Sequence, residues 1–223
     1  VLPIWLLVVS LPRPAWRLAV ARGAGRLLLA LTGVRLTVFG LDQVPQGRPF
    51  VLAVNHASYL DGLLLLVALP GPWSFVAKRE LTGSFFSRWF LARLGTLFVE
   101  RFDKQRGVED ARRVTDSLHE GRSLVYFPEG TFRRQPGLLP FHLGAFQAAA
   151  GAGSPLLPAV LRGTRSLLRD GQWLPRRARI TLAIGAPLEP EGDGWNAAVA
   201  LRDRTRAEIL ARLGEPDLID QPV

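Results

Sequence analysis

The sequence predicts a single α/β domain: a mixed, mostly parallel central sheet flanked by helices, preceded by short membrane-associating helices at the N-terminus. Three observations predict it. Short, β-branched apolar runs of strand length alternate with longer stretches of helical periodicity, the pattern of a layered α/β fold. No internal repeat and no long linker divides the chain, so residues 34–223 read as one domain and residues 1–33 as a separate membrane-associating segment. A hydrophobic content of 48% against 21% charged residues over 223 positions is enough for a full core.

Taken in order, Val1 to Leu11 is apolar but shorter than the ~20 residues a membrane-spanning helix needs, and Pro12 and Pro14 break it. Ala15 to Leu31 sets Trp16 among leucines with Arg17, Arg22 and Arg26, and Arg13 stands just ahead. Gly23 and Gly25 are expected to break or bend this helix. Tryptophan and arginine among leucines is the composition of a shallow interfacial anchor; a helical cover on the sheet is the alternative. Val34 to Phe39 alternates as a strand does, and residues 40–49, with Pro45, Gly47 and Pro49, form a loop. Phe50 to Val54 has the length and side chains of a buried strand. It leads into Asn55–Asp61 and the apolar run Leu63 to Leu69. Further strands are expected at Ser74–Ala77, Thr96–Glu100, Ser123–Phe127, Leu156–Leu161 and Ile180–Ile184. Helices are expected at Glu80–Leu94, 107–119, Phe141–Ala150 and Trp195–Leu213. In the second of these Val108, Ala111, Val114 and Leu118 share one face, and Gly121 ends it.

Composition then excludes several chemistries. The chain has no cysteine, so disulfides, thiol nucleophiles and thiolate metal sites are absent. Its three histidines, His56, His119 and His142, match no zinc spacing. No metal and no cofactor is expected. The net charge is +9, almost all from arginine, since Lys78 and Lys104 are the only lysines. Such an excess suits phosphate on nucleic acid, on an anionic membrane or on a substrate. No interleaved aromatic pattern or known binding motif supports a nucleic-acid partner.

Three predicted strands end in polar clusters: Asn55 to Asp61, Arg101 to Arg106, and Pro128 to Arg134. Parallel strands bring their carboxyl ends to one edge of a sheet, where ligands bind. On an unbroken helix, residues five apart stand about 140° apart, so His56 and Asp61 meet only if the segment between them is a turn or a helix start. A carboxylate on one imidazole nitrogen fixes the tautomer and leaves the other nitrogen as a base. Each cluster taken singly has an ordinary reading: a helix cap, a surface cation, a tight turn. Taken together they supply a base, an arginine and an acid for work on a phosphorylated hydroxyl compound.

In this order, NHASYLD (55–61), GTLFVER (95–101), FPEGT (127–131) and LLPAV (156–160) resemble the four blocks of the glycerophospholipid acyltransferase family, lysophosphatidic acid acyltransferase type, over residues 34–165. The resemblance implies transfer of a fatty acyl group from coenzyme A or acyl-carrier protein to a glycerol hydroxyl of a lysophospholipid, most simply lysophosphatidic acid. It implies His56 as general base and Asp61 as the group that orients it. Gly95 and Arg101, with Glu129, Gly130 and Thr131, are associated with the acceptor's glycerol phosphate, and the block around Pro158 with the acyl substrate. Many members carry Arg directly after the Thr of the third block. Here Phe132 holds that position, followed by Arg133 and Arg134, and Arg133 is the candidate phosphate contact. With no cysteine and no G-x-S-x-G elbow, direct transfer without an acyl-enzyme is expected. Oxyanion donors are expected among backbone N–H groups at the helix start after His56. Both substrates are lipids, so a membrane surface, at its cytoplasmic face, is the expected partner.

Overall fold

The computed structural model describes residues 2–78, 85–99, 104–133, 135–167 and 175–220. Its helices are α1 (Leu2–Ser10), α2 (Pro14–Thr32), α3 (Asp61–Ala68), α4 (Phe85–Arg93), α5 (Lys104–His119), α6 (Gly144–Gly151) and α7 (Trp195–Leu213). Its strands are β1 (Arg35–Phe39), β2 (Val51–Val54), β3 (Trp73–Lys78), β4 (Leu97–Val99), β5 (Ser123–Tyr126), β6 (Leu156–Arg162) and β7 (Arg179–Ile184). The seven form one sheet in the order β1-β7-β6-β2-β5-β3-β4. Strands β2 to β6 run parallel, and β7 pairs antiparallel to β6 with β1 parallel beside it. The sheet is thus mixed and mostly parallel, as the alternating pattern predicts.

β2 lies at the centre, and all four of its residues are fully buried. A strand covered on both faces has no solvent side, which is why its sequence is an apolar run without alternation. Its pleat still sorts side chains by face. Leu52 and Val54 join the core formed with α2 and α3, whereas Val51 and Ala53 join the core formed with α5, α6 and α7. The result is three layers, helix, sheet and helix, with β2 and β5 delivering their carboxyl ends between them.

The N-terminal helices belong to the first of these cores. Val8, Ala21 and Leu29 pack with Leu52, Leu64 and Leu161. α2 runs unbroken through Gly23 and Gly25, against the expectation that the glycines interrupt it. The reason is packing. A Cβ on Gly25 would lie 2.6 Å from Val67 Cγ2 and 3.0 Å from Leu63 Cδ1, so the missing side chain lets α2 approach α3 closely. Two of the arginines are spent inside the protein. Arg17 donates to the carbonyls of Leu11 and Pro12 at 2.7 and 2.8 Å, and Arg22 to those of Leu66 and Gly71 at 3.1 and 2.6 Å. They satisfy carbonyls that helix ends leave unpaired. Arg13 and Arg26 remain exposed. Among the described residues no helix is long and apolar enough to cross a membrane.

Candidate active site

The chain leaves β2 at Asn55, whose side chain extends the ladder. Its Nδ2 donates to the Leu161 carbonyl at 3.1 Å and its Oδ1 accepts the Leu161 N–H at 2.7 Å, fastening this point to β6. Residues 55–58 then follow no regular path, and α3 starts at Asp61. That break in helical geometry brings residues 56 and 61 together. Asp61 is fully buried, and its Oδ2 receives the His56 ring Nδ1 at 2.8 Å, the Ala57 N–H at 2.7 Å and the Ser58 N–H at 2.9 Å. With Nδ1–H donated to the carboxylate, Nε2 is the ring nitrogen left to take a proton.

These bonds also narrow the expectation for oxyanion donors. The N–H groups of Ala57 and Ser58 are committed to Asp61, that of Leu60 to Ser58 Oγ at 3.3 Å, and that of Asp61 to the Ser58 carbonyl at 3.1 Å. The helix start is organised around its own acid, and four of its amides are thereby occupied.

The imidazole sits between aromatic rings. Phe127 stacks on it at 4.2 Å between centroids, and Phe132 meets it edge-on at 4.6 Å. Phe132 in turn touches Tyr59 at 4.7 Å. Phe132 therefore packs on the candidate base instead of offering a charge to phosphate. Gly130 makes the turn that permits this, with φ of 66°, a conformation other residues adopt only under strain.

Glu129 is 1% exposed. Its Oε1 accepts the main-chain N–H of His56 at 2.6 Å and its Oε2 that of Leu139 at 2.8 Å. Burial pushes its carboxyl up to about 7, against the two N–H donors and the nearby Arg165 and Arg206, which pull the other way. With both oxygens spent on the protein's own backbone, Glu129 shapes the site rather than facing into it.

His56 borders a cavity of about 350 Å³ whose wall is mostly apolar: Leu18, Leu63, Leu66, Trp73, Phe75, Phe90, Leu91 and Leu94, with Gly130, Phe127 and Phe132 at the His56 side. Lys78, at the carboxyl end of β3, lines the same cavity. Sequence reading passed over Lys78. The available signal was its place at a strand's carboxyl end as one of only two lysines among 28 basic residues. The remaining candidates fall differently. Gly95 lies in the turn between α4 and β4, and its neighbours Leu94 and Thr96 line the cavity while it does not. Thr131 is half-buried beside Gly130, and the Arg133 carbonyl is bonded by Arg165. Arg101 and Arg134 lie outside the described residues.

A paired imidazole and carboxylate on the wall of an apolar cavity, at the carboxyl edge of a mostly parallel sheet, is the geometry against which known proteins can be compared. The model of the Acyltransferase family matches residues 35–162, which hold the cluster around His56, β3, β4 and the Glu129 turn. The chain belongs to the acyltransferase family. Two of its relatives are a 1-acyl-sn-glycerol-3-phosphate acyltransferase of Chlamydomonas reinhardtii, 30% identical over 83% of this chain, and the alpha form from Ovis aries, 32% identical over 81%. This chain spans 54% of the algal protein and 63% of the sheep one. Among solved structures, the crystal structure of PlsC, the 1-acyl-sn-glycerophosphate acyltransferase of Thermotoga maritima, superposes with a TM-score of 0.74 at 24% identity, over 92% of this chain and 83% of that one. That likeness speaks for the fold.

Proposed function

We propose that the protein transfers a fatty acyl group from an acyl thioester, of coenzyme A or acyl-carrier protein, to the free hydroxyl of lysophosphatidic acid, giving phosphatidic acid. The observation that carries this reading is the 2.8 Å pairing of His56 with buried Asp61 on the wall of an apolar cavity. His56 Nε2 takes the proton of the acceptor hydroxyl as its oxygen attacks the thioester carbonyl. Asp61 stabilises the imidazolium. The C–S bond then breaks, and the thiolate leaves with the proton returned by the imidazolium. The thioester is already activated, so the scheme draws on no metal and no cofactor. The apolar wall suits an acyl chain, and the ammonium of Lys78 on that wall suits the acceptor's phosphate. The relatives' names, which specify the same acceptor, support the reading.

A second reading keeps the reaction and changes the acceptor to another lysolipid. Phe132 favours it, because an aromatic ring stands beside the base at the position where the acyltransferase block that this loop resembles often has arginine. One assay separates the two. Thiol release from an acyl-CoA is followed with lysophosphatidic acid and with a panel of other lysolipids. Release stimulated only by lysophosphatidic acid supports the first reading, release stimulated only by another lysolipid the second, and release by none overturns both.

We also place the protein on a lipid surface. α1 and α2 expose Leu6, Leu7, Trp16, Leu27 and Leu31, and the Arg13 guanidinium lies 4.5 Å above the Trp16 ring. Apolar side chains beside exposed arginines fit the interfacial zone of an anionic membrane. Co-sedimentation with anionic vesicles tests this. The double variant Leu27→Glu, Leu31→Glu, which changes exposed side chains only, should lower the bound fraction, and undiminished binding would remove the assignment.

A further inference from the structure

The loop after β5 does not stop at the cavity. Past Phe132 it turns back, and residues 137–139 run beside the segment that follows α7. Leu138 donates its N–H to the Pro216 carbonyl at 2.9 Å, and its own carbonyl accepts the Leu218 N–H at 3.0 Å. Gly137 N–H donates to Glu215 Oε2 at 2.7 Å, and Glu215 pairs with Arg165 at 2.7 Å. In the middle of this strap is Arg206 of α7, 5% exposed. Its Nη1 donates to the Leu139 carbonyl at 2.6 Å, its Nη2 donates to the Leu138 carbonyl at 3.0 Å, and it forms an ion pair with Asp217.

A buried guanidinium costs stability unless its donors are met. Here Nη1 and Nη2 are met by two successive carbonyls of the strap and by Asp217, while Nε is buried without a partner among the described residues. The Leu138 carbonyl and the Leu139 N–H belong to one peptide unit, which is planar and trans, so they point in opposite directions. Arg206 holds one edge of that plane, and Glu129 Oε2 accepts the N–H on the other edge at 2.8 Å. The second oxygen of Glu129 holds His56 N–H at 2.6 Å.

We propose that Arg206 is a positioning residue for His56. By fixing the Leu138–Leu139 peptide it aims the Leu139 N–H at Glu129, and so sets the carboxylate that anchors the main chain of the base. This rests on the reading of His56 as base. Arg206 is not among the residues lining the cavity, and it lies outside residues 35–162 that match the family model.

The test uses the full chain at about pH 8, where a carboxyl titrating near neutrality is charged. Steady-state kinetics and amide spectra of protein labelled with ¹⁵N-histidine are measured for wild type, Arg206→Met, Glu129→Gln and the double variant. Arg206→Met should lower kcat about 10- to 100-fold, the scale of a displaced catalytic group, with KM for both substrates unchanged within about twofold. Because the effect runs through Glu129, the double variant should be no slower than Glu129→Gln alone. Three histidines give three amide signals. That of His56 should shift in Arg206→Met toward its place in Glu129→Gln, with that of His119 unmoved. Losses that multiply in the double variant, or a His56 signal that stays in place, would overturn the proposal. If Arg206→Met does not fold, Arg206→Lys replaces it: its ammonium keeps the charge without the two-pronged grip, and wild-type kcat with an unmoved His56 signal would be equally decisive. The amide signals need no turnover. If no acyl transfer is found in wild type, a shifted His56 signal leaves the positioning network standing and removes only the assigned reaction.

Discussion

The two loops that meet at His56 are built on opposite plans. The loop after β2 closes on itself: the donors that converge on Asp61 lie three, four and five residues away. The loop after β5 is held from afar, with Glu129 bonded to His56 across 73 positions and Leu139 to Arg206 across 67. Short closures carry little entropic cost and depend only on their own few residues, whereas distant ones form once the sheet has brought their strands side by side. The comparison teaches that the pairing of acid and base is a local property, and their placement against the cavity a property of the whole fold.

That contrast can be broken at several points, and the largest effect is expected at the base itself. His56→Ala should lower kcat about 10³- to 10⁴-fold, the upper range of general-base contributions, with a far-UV spectrum like that of wild type. A folded variant that keeps near-normal turnover would take the base away from this loop. Asp61→Asn comes next. It should cost about 10²- to 10³-fold in kcat, because the amide no longer holds the tautomer that leaves Nε2 free. It should also lower the melting temperature, because a neutral amide oxygen accepts the three donors that converge on Oδ2 more weakly than a carboxylate does. Retention of full activity would show that the local half of the comparison is structural only.

The distant half is tested through pH. Burial raises the Glu129 carboxyl from 4.5 to about 7 in the folded protein. A raised acid stabilises the fold in its protonated form, so its contribution is complete below about 4.5 and is lost as pH climbs through about 7. Glu129→Gln stays neutral throughout. The melting temperature of wild type relative to this variant should therefore decline between about pH 4.5 and 7 and then level off. A flat difference across that window would mean that Glu129 titrates as an ordinary surface carboxyl does. The smallest effect on activity is expected at the close approach of α2 and α3. Gly25→Val should destabilise by about 1–3 kcal/mol in denaturant unfolding through overpacking against Leu63 and Val67, with a smaller loss of kcat than at His56 or Asp61, because it presses on Leu63 of the cavity wall but touches neither loop. A large loss of kcat would place this contact in the site after all.

Much of the fold was legible because it rests on short-range signals. The strand from Val51 and the C-terminal helix from Trp195 to Leu213 follow from side-chain pattern and length alone. That residues 55–60 must leave helical geometry if His56 and Asp61 are to meet follows from a spacing of five. Other features were hidden for identifiable reasons. Gly23 and Gly25 carry the signature of a helix break, but packing on α3 overrode local propensity. Lys78 is a single cation with no motif around it that marks it. Arg206 lies in a helix whose charged residues look like a solvated face, and only burial distinguishes it from Arg202 or Arg204. The backbone N–H groups after His56 looked available for an oxyanion because nothing in a residue string says which amides a neighbouring carboxylate has already taken.

By itself, the string of residues determined the α/β class and the family, because both depend on pattern, and it set the condition under which an imidazole and a carboxylate five positions apart can meet. Only the tertiary structure decided that both oxygens of Glu129 are committed to backbone, that Phe132 rests on the imidazole, and that an arginine of the last helix secures the strap behind them. Those relations join elements far apart in the chain, and the direction in which a buried donor or acceptor points is fixed by the packing around it.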